Sequence, residues 1–277
     1  MESWKTARLG RTKLRVGRLG LAASYGADER CVREAFERGV NYLYWGSRRS
    51  ESFAAGLRGL RSRRDEFVLV IQSYTRLAAL LPWSLKRALR SLALDYADVL
   101  LLGMWNKDVP LVIFEQALQL REQGLIRHVA VSTHNRRHAA TLAAKEANVD
   151  TLHVRYNAVH SGAERDIFPY LSVPEVRPGI VSFTATCWGE LLNPDQVPSG
   201  NAIPLASDCY RFVLTNPAVD VCLMGPRSVS DLTAALDGWD KGPMTPEEMA
   251  WMRRVGQAKY RRPSRFSLRW SGNESGN

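Results

Sequence analysis

The stretch ERCVREAFERGVNYLYWGSRRSE, residues 29–51, carries the decision about the fold. Its first half has the apolar spacing of an amphipathic helix and stops at Gly39, VNYLYW has the length and content of a buried strand, and the closing SE opens another helix. A helix feeding a strand that is apolar on both faces belongs to a parallel sheet covered by helices.

The same unit recurs along the chain. RLGLA, VNYLYW, FVLVIQ, DVLLLG, HVAVS, TLHVRY, IVSFTA and VDVCLMG read as eight short buried strands. Between them ERCVREAFERG, SESFAAGLRGL, WSLKRALRSLAL, PLVIFEQALQLREQG, NRRHAATLAAKEAN, ERDIFPYL, ASDCYRFVLTNP and SVSDLTAALDGW have helical spacing. In the fourth, Pro110 suits the first turn and Gly124 the stop; Ser84, Ser132 and Ser228 stand near helix starts as candidate caps. Eight strand-then-helix units predict a single closed (β/α)8 TIM barrel over 1–277, with WKTARLGRTKLRV folded as an N-terminal β-hairpin across its bottom and 259–277 as a C-terminal helical and basic tail. An open doubly wound sheet is the alternative, without a GxGxxG to support its dinucleotide-binding form.

At 277 residues and 45% hydrophobic content the chain can bury a core of that size. No apolar run approaches the ~20 residues of a membrane span, and the first residues lack the order of a secretory signal, so a cytoplasmic protein is expected. Cys31, Cys187, Cys209 and Cys222 are scattered without a CxxC pair, which predicts reduced core thiols. A net charge of +10 suits an anionic partner. Tyr260, Phe266 and Trp270 interleave with arginines in the tail, which keeps single-stranded nucleic acid as a minor alternative. His134 and His138 lack a third ligand and the glutamate of HExxH, so no metal is expected, and no GxSxG marks a hydrolase.

The order of motifs resembles the aldo-keto reductase superfamily. RLGRTKLRVGRLGLA, AFERGVNYLYWGSRRSE, SLKRALRSLALDYADVLLLG, LREQGLIRHVAVSTHN, VRYN and LMGPRSVSDL are similar, in sequence order, to the family's opening hairpin, second strand and loop, fourth, fifth and sixth strands, and cofactor-phosphate segment. The resemblance implies an oxidoreductase using NADP(H), with an aspartate, a proton-donating tyrosine, a lysine and a histidine at the C-terminal rim. Those positions fall on Tyr44, near Arg49, on Gln72 and on Gly103, so every one is replaced. It further implies that Ser132, with Thr133, meets the nicotinamide amide, that His153 stands for an amide-binding glutamine, that Phe183 stacks on the nicotinamide, and that Gly225 and Arg227 meet phosphate; Asp231, Ala234 and Ala235 replace the adenine-recognising residues.

Alternation sends His153, Arg155 and Asn157 to one side of the sixth strand, where polar groups suit a pocket. With Tyr44, Trp45, Trp105, His134 and Trp188 they predict an aromatic-walled, cationic pocket, in which Tyr44, Arg49, Gln72, His134 and Arg155 are the candidate catalytic groups. The bland alternatives are that Arg155 neutralises Asp98 or Asp150 and that His153 is a satisfied core histidine. The expected function is a family oxidoreductase barrel holding an anionic or aromatic small molecule, possible NADP(H) included, with the usual carbonyl reduction in doubt and Tyr44 as the best proton donor. A catalytically silent ligand sensor or partner-binding subunit is the alternative.

Overall fold

The computed structural model describes residues 4–46, 49–197 and 200–261. The eight expected strands are β3 (Leu19–Ala22), β4 (Tyr42–Trp45), β5 (Val68–Ser73), β6 (Ala97–Leu102), β7 (Ile126–Thr133), β8 (Thr151–Arg155), β9 (Gly179–Phe183) and β10 (Val221–Met224). They pair in parallel and in sequence order, and β10 returns to β3 to close the barrel. Register such as Tyr44 opposite Val70 and Gln72 opposite Leu101 fixes which side chains share a level of the lumen.

Before the barrel, β1 (Thr6–Arg8) and β2 (Arg15–Gly17) form the expected antiparallel hairpin. Leu9 and Val16 from it join the lumen core as a plug. Gly10, at φ +48°, lets the turn lie against the backbone of Arg177 to Gly179, where a Cβ would overlap main chain.

Helices α1 (Glu29–Glu37), α2 (Glu51–Gly59), α3 (Leu80–Leu92), α4 (Leu111–Glu122), α5 (Arg136–Lys145), α6 (Ala163–Asp166), α7 (Ala206–Thr215) and α8 (Val229–Lys241) follow the strands in turn. Several starts have a side-chain cap. Asp28 accepts from the Cys31 N–H at 2.8 Å, Ser50 from Phe53 at 3.3 Å and Ser228 from Asp231 at 3.1 Å. Two expected caps are corrected: Ser132 is a strand residue and Asn135 caps α5, while Ser84 lies inside α3, whose N-cap is Ala79. As expected, α6 is a stub, broken before Pro169. A further helix, α9 (Pro246–Tyr260), was not among the expected helices; Thr245 and Glu248 form its capping box.

The core has two layers. Tyr42, Val70, Val99, Leu101, Ala130 and Val181 fill the lumen, and a larger set including Leu43, Phe53, Ile71 and Leu100 lies between strands and helices. Burying one such large side chain contributes roughly 1.5–3 kcal/mol. At the strand starts, Asp98, Asp150 and Asp220 accept from the N–H groups of Leu69, Val129 and Ile180 at 2.8 to 2.9 Å. Arg64 and Arg127 pair with Asp98, Arg121 with Asp150, whose carboxylate also lies 3.6 Å from His128 Nδ1, and Arg177 with Asp220, while Arg155 stands at the far end of β8 from Asp150. These groups stabilise the bottom face and leave the C-terminal rim as the place for a site. No described helix is long and apolar enough to cross a membrane.

Candidate functional site

At the rim, alternation points Tyr44 into the lumen and its neighbour Trp45 outward. The Tyr44 hydroxyl donates to Gln72 Oε1 across a short hydrogen bond. Gln72 is 4% exposed, and its amide lies over Gly103, where a Cβ would overlap its nitrogen. One glutamine therefore fills the space at the ends of both β5 and β6 and engages the only phenol at the rim end of β4. Arg49 donates from Nη2 to the Gln72 main-chain carbonyl at 2.6 Å, with its guanidinium 5.3 Å from the Trp45 ring centre. Burial pulls the Arg49 guanidinium below its ordinary value; Tyr44 opposes this and Arg87 adds to it.

One level lower, His153 Nε2 meets the Tyr42 hydroxyl at 2.9 Å. The ring is 1% exposed, and burial pushes it down to about 3, so it is neutral. Tyr42, two residues before Tyr44 on the same face, is a lumen partner that the sequence reading passed over. This is the environment of a satisfied core histidine. Ser132 is also a lumen residue, and its buried Oγ has no hydrogen-bond partner.

A second polar group crosses the opposite side of the rim. Phe183 packs edge-on against His134, with ring centres 5.5 Å apart. Burial, with the charge of Arg155, pushes His134 down to about 4 and His160 likewise. Trp188 is 43% exposed in the loop after β9.

Three of the expected pocket residues are placed elsewhere. Trp45 is buried in the outer layer, as period-two alternation from an inward Tyr44 requires. Trp105 is also in that layer, under the Arg76 guanidinium at 3.8 Å. Asn157 lies beyond the end of β8, fully buried, donating to the Thr184 carbonyl and accepting from the Val159 and His160 N–H groups. It organises a loop.

The cavity itself opens to one side of the lumen, between the ends of β4 and β5 and the start of α3. It measures about 430 Å³ and includes Arg49, Gln72, Tyr74, Leu80, Trp83 and Ser84 in its lining. Tyr74, directly after β5, and Trp83 and Arg87, inside α3, were not singled out from sequence; the two helix residues follow no strand end by simple counting. His138 faces Asp108 from α5, away from His134, and no group of three metal-ligating side chains occurs among the described residues. All four cysteines are free and buried.

A closed eight-stranded parallel barrel with a hairpin plug and a rim site defines the class. The aldo/keto reductase family model matches residues 21–178, and the chain belongs to that family. Among solved structures it is similar to the holo form of aldo-keto reductase AKR11C1 from Bacillus halodurans, at 22% identity and TM-score 0.73, covering 93% of this chain and 99% of that one. The apo form matches over the same shares at 22% identity and TM-score 0.70. That likeness is one of fold.

The phosphate end of a family cofactor site can be tested against the side chains present. The Tyr25 ring lies on Gly225 where a Cβ would stand. At the start of α8, Asp231 accepts from the Arg227 N–H at 3.1 Å and from its Nε at 3.3 Å. Asp231 thus competes with a phosphate for two donors of a side chain that is 81% exposed. That competition and the position of the Tyr25 ring weaken the fit of these residues to a nicotinamide dinucleotide.

Proposed function

We propose that this chain is a small-molecule-binding member of the aldo/keto reductase family in which Tyr44, Gln72 and Arg49 stand in place of the family's proton-delivering group, and that it does not reduce carbonyls by the family's route. The Gln72 amide carries this reading. Hydride arriving at a carbonyl carbon leaves an alkoxide that needs a proton, and a phenol of pKa ~10 supplies it efficiently when a cation stabilises the phenolate. Here the hydroxyl is hydrogen-bonded to a neutral amide, and the same amide stands where a Cβ at position 103 would project.

A second reading has a specific observation behind it. Arg49 is close enough for its charge to interact with that of Tyr44, and a guanidinium can stabilise a phenolate. In that case Tyr44 is the proton donor of a modified redox or non-redox reaction.

Titration with NADPH and NADH, followed by tryptophan fluorescence and by loss of reduced-nicotinamide absorbance with aldehydes, ketones and quinones, tests both. The expected result is no turnover, with weak NADPH binding that strengthens in Asp231→Ala. Turnover that falls by about 100-fold in both Tyr44→Phe and Arg49→Gln overturns the first reading in favour of the second.

A further inference from the structure

The cavity beside the lumen has features that its position in the barrel wall does not require. Tyr74, Leu80 and Trp83, at 47%, 46% and 54% exposure, present aromatic and aliphatic surface to water around one opening. Its volume of about 430 Å³ suits a single small molecule. Arg49 lines it, and Arg87, whose guanidinium is 5.3 Å from the Trp83 ring centre, adds a second positive charge at its edge.

Charge pairing separates these two arginines from several others that are tied to carboxylates. Arg63, Arg64, Arg177, Arg211 and Arg253 each have a carboxylate oxygen at 2.6 to 2.8 Å. Among the described residues neither Arg49 nor Arg87 has one, and the Arg87 charge weakens the charged form of Arg49. Both side chains are exposed at this edge, and an anion in the cavity would relieve that repulsion.

We propose that this cavity binds a small aromatic carboxylate, with its ring against Tyr74 and Trp83 and its carboxylate on Arg49. This deepens the ligand-binding reading above and rests on it. One edge of the Arg49 guanidinium already serves the Gln72 carbonyl at 2.6 Å. The donors that remain suit a two-oxygen acceptor such as a carboxylate, and the aromatic walls select one that carries a ring. Ser84 adds a hydroxyl to the lining.

Calorimetry on the full chain with benzoate, 4-hydroxybenzoate, benzamide and inorganic phosphate tests the assignment. The aryl carboxylates are expected to saturate one site, with benzamide and phosphate at least about tenfold weaker. Trp83→Ala and Arg87→Gln, both on the exposed side of α3, are expected to weaken benzoate about tenfold without moving the melting temperature. Benzamide or phosphate binding as tightly as benzoate, no saturation by any aryl carboxylate, or unchanged affinity in both variants overturns it. Nicotinamide turnover in the preceding test would sink that reading while leaving this titration to be judged on its own curve; a flat titration with no turnover would sink this assignment alone.

Discussion

Gln72 and Gly103 interlock. The glutamine amide occupies the volume that any side chain at position 103 would need, and it holds the Tyr44 hydroxyl from the other side. Gly103→Ala should therefore expel the amide and destabilise the protein by about 1–3 kcal/mol, read by chemical denaturation. Adding Gln72→Ala should recover part of that loss, and a single Gly103→Ala variant as stable as the parent would show that the space is open. Tyr44, Gln72 and Gly103 were legible in the sequence as single letters at or next to strand ends, and Arg49 as the residue before the helix-capping Ser50. Their mutual packing was not, because positions 72 and 103 meet only through space. Trp45 was legible in principle: once Tyr44 faces inward, its neighbour cannot.

Among the elements, α9 shows what a local signal means when its context is missing. Thr245, Pro246 and Glu248 spell a capping box with proline in the first turn, yet the arginine-rich run after Lys259 drew the reading toward a basic tail, of which residues beyond 261 lie outside the described structure, including Phe266 and Trp270. Glu248 also receives two hydrogen bonds from Arg211, at 2.7 and 2.8 Å, and Arg211 is 5% exposed. Thr245→Ala should cost about 1 kcal/mol through the cap alone. Glu248→Ala should cost more, about 2 kcal/mol after allowance for the partly exposed carboxylate, because a buried guanidinium loses its main partner. Equal losses in thermal or urea unfolding would show that the Arg211 pair adds nothing. The eight barrel strands, by contrast, were plain from their short apolar runs, since parallel strands covered on both faces leave little room for polar letters.

Over the whole molecule, the lumen and rim hold three histidines in surroundings that resist protonation. His153 is pushed down to about 3, and His134 and His160 to about 4, in each case chiefly by burial. Unfolded, each takes up a proton near its ordinary value of 6.5, so between pH ~6.5 and ~4 the unfolded chain binds more protons than the folded one. Stability is then fully present above pH ~6.5 and falls as the solution is acidified through that window. Melting curves from neutral to pH ~4 should show this decline, and it should be shallower in His153→Gln. A decline equally steep in that variant would mean that groups other than His153 carry it.

The pairing at positions 72 and 103 also governs which mutational routes are open. Installing a larger side chain at 103 while Gln72 remains requires the Gln72 amide to move, and removing Gln72 first takes the amide oxygen from the Tyr44 hydroxyl. Either intermediate is handicapped before the second change arrives, so the two sites are epistatic. Change at this mouth is therefore coupled: a substitution at either position alters what the other can accept.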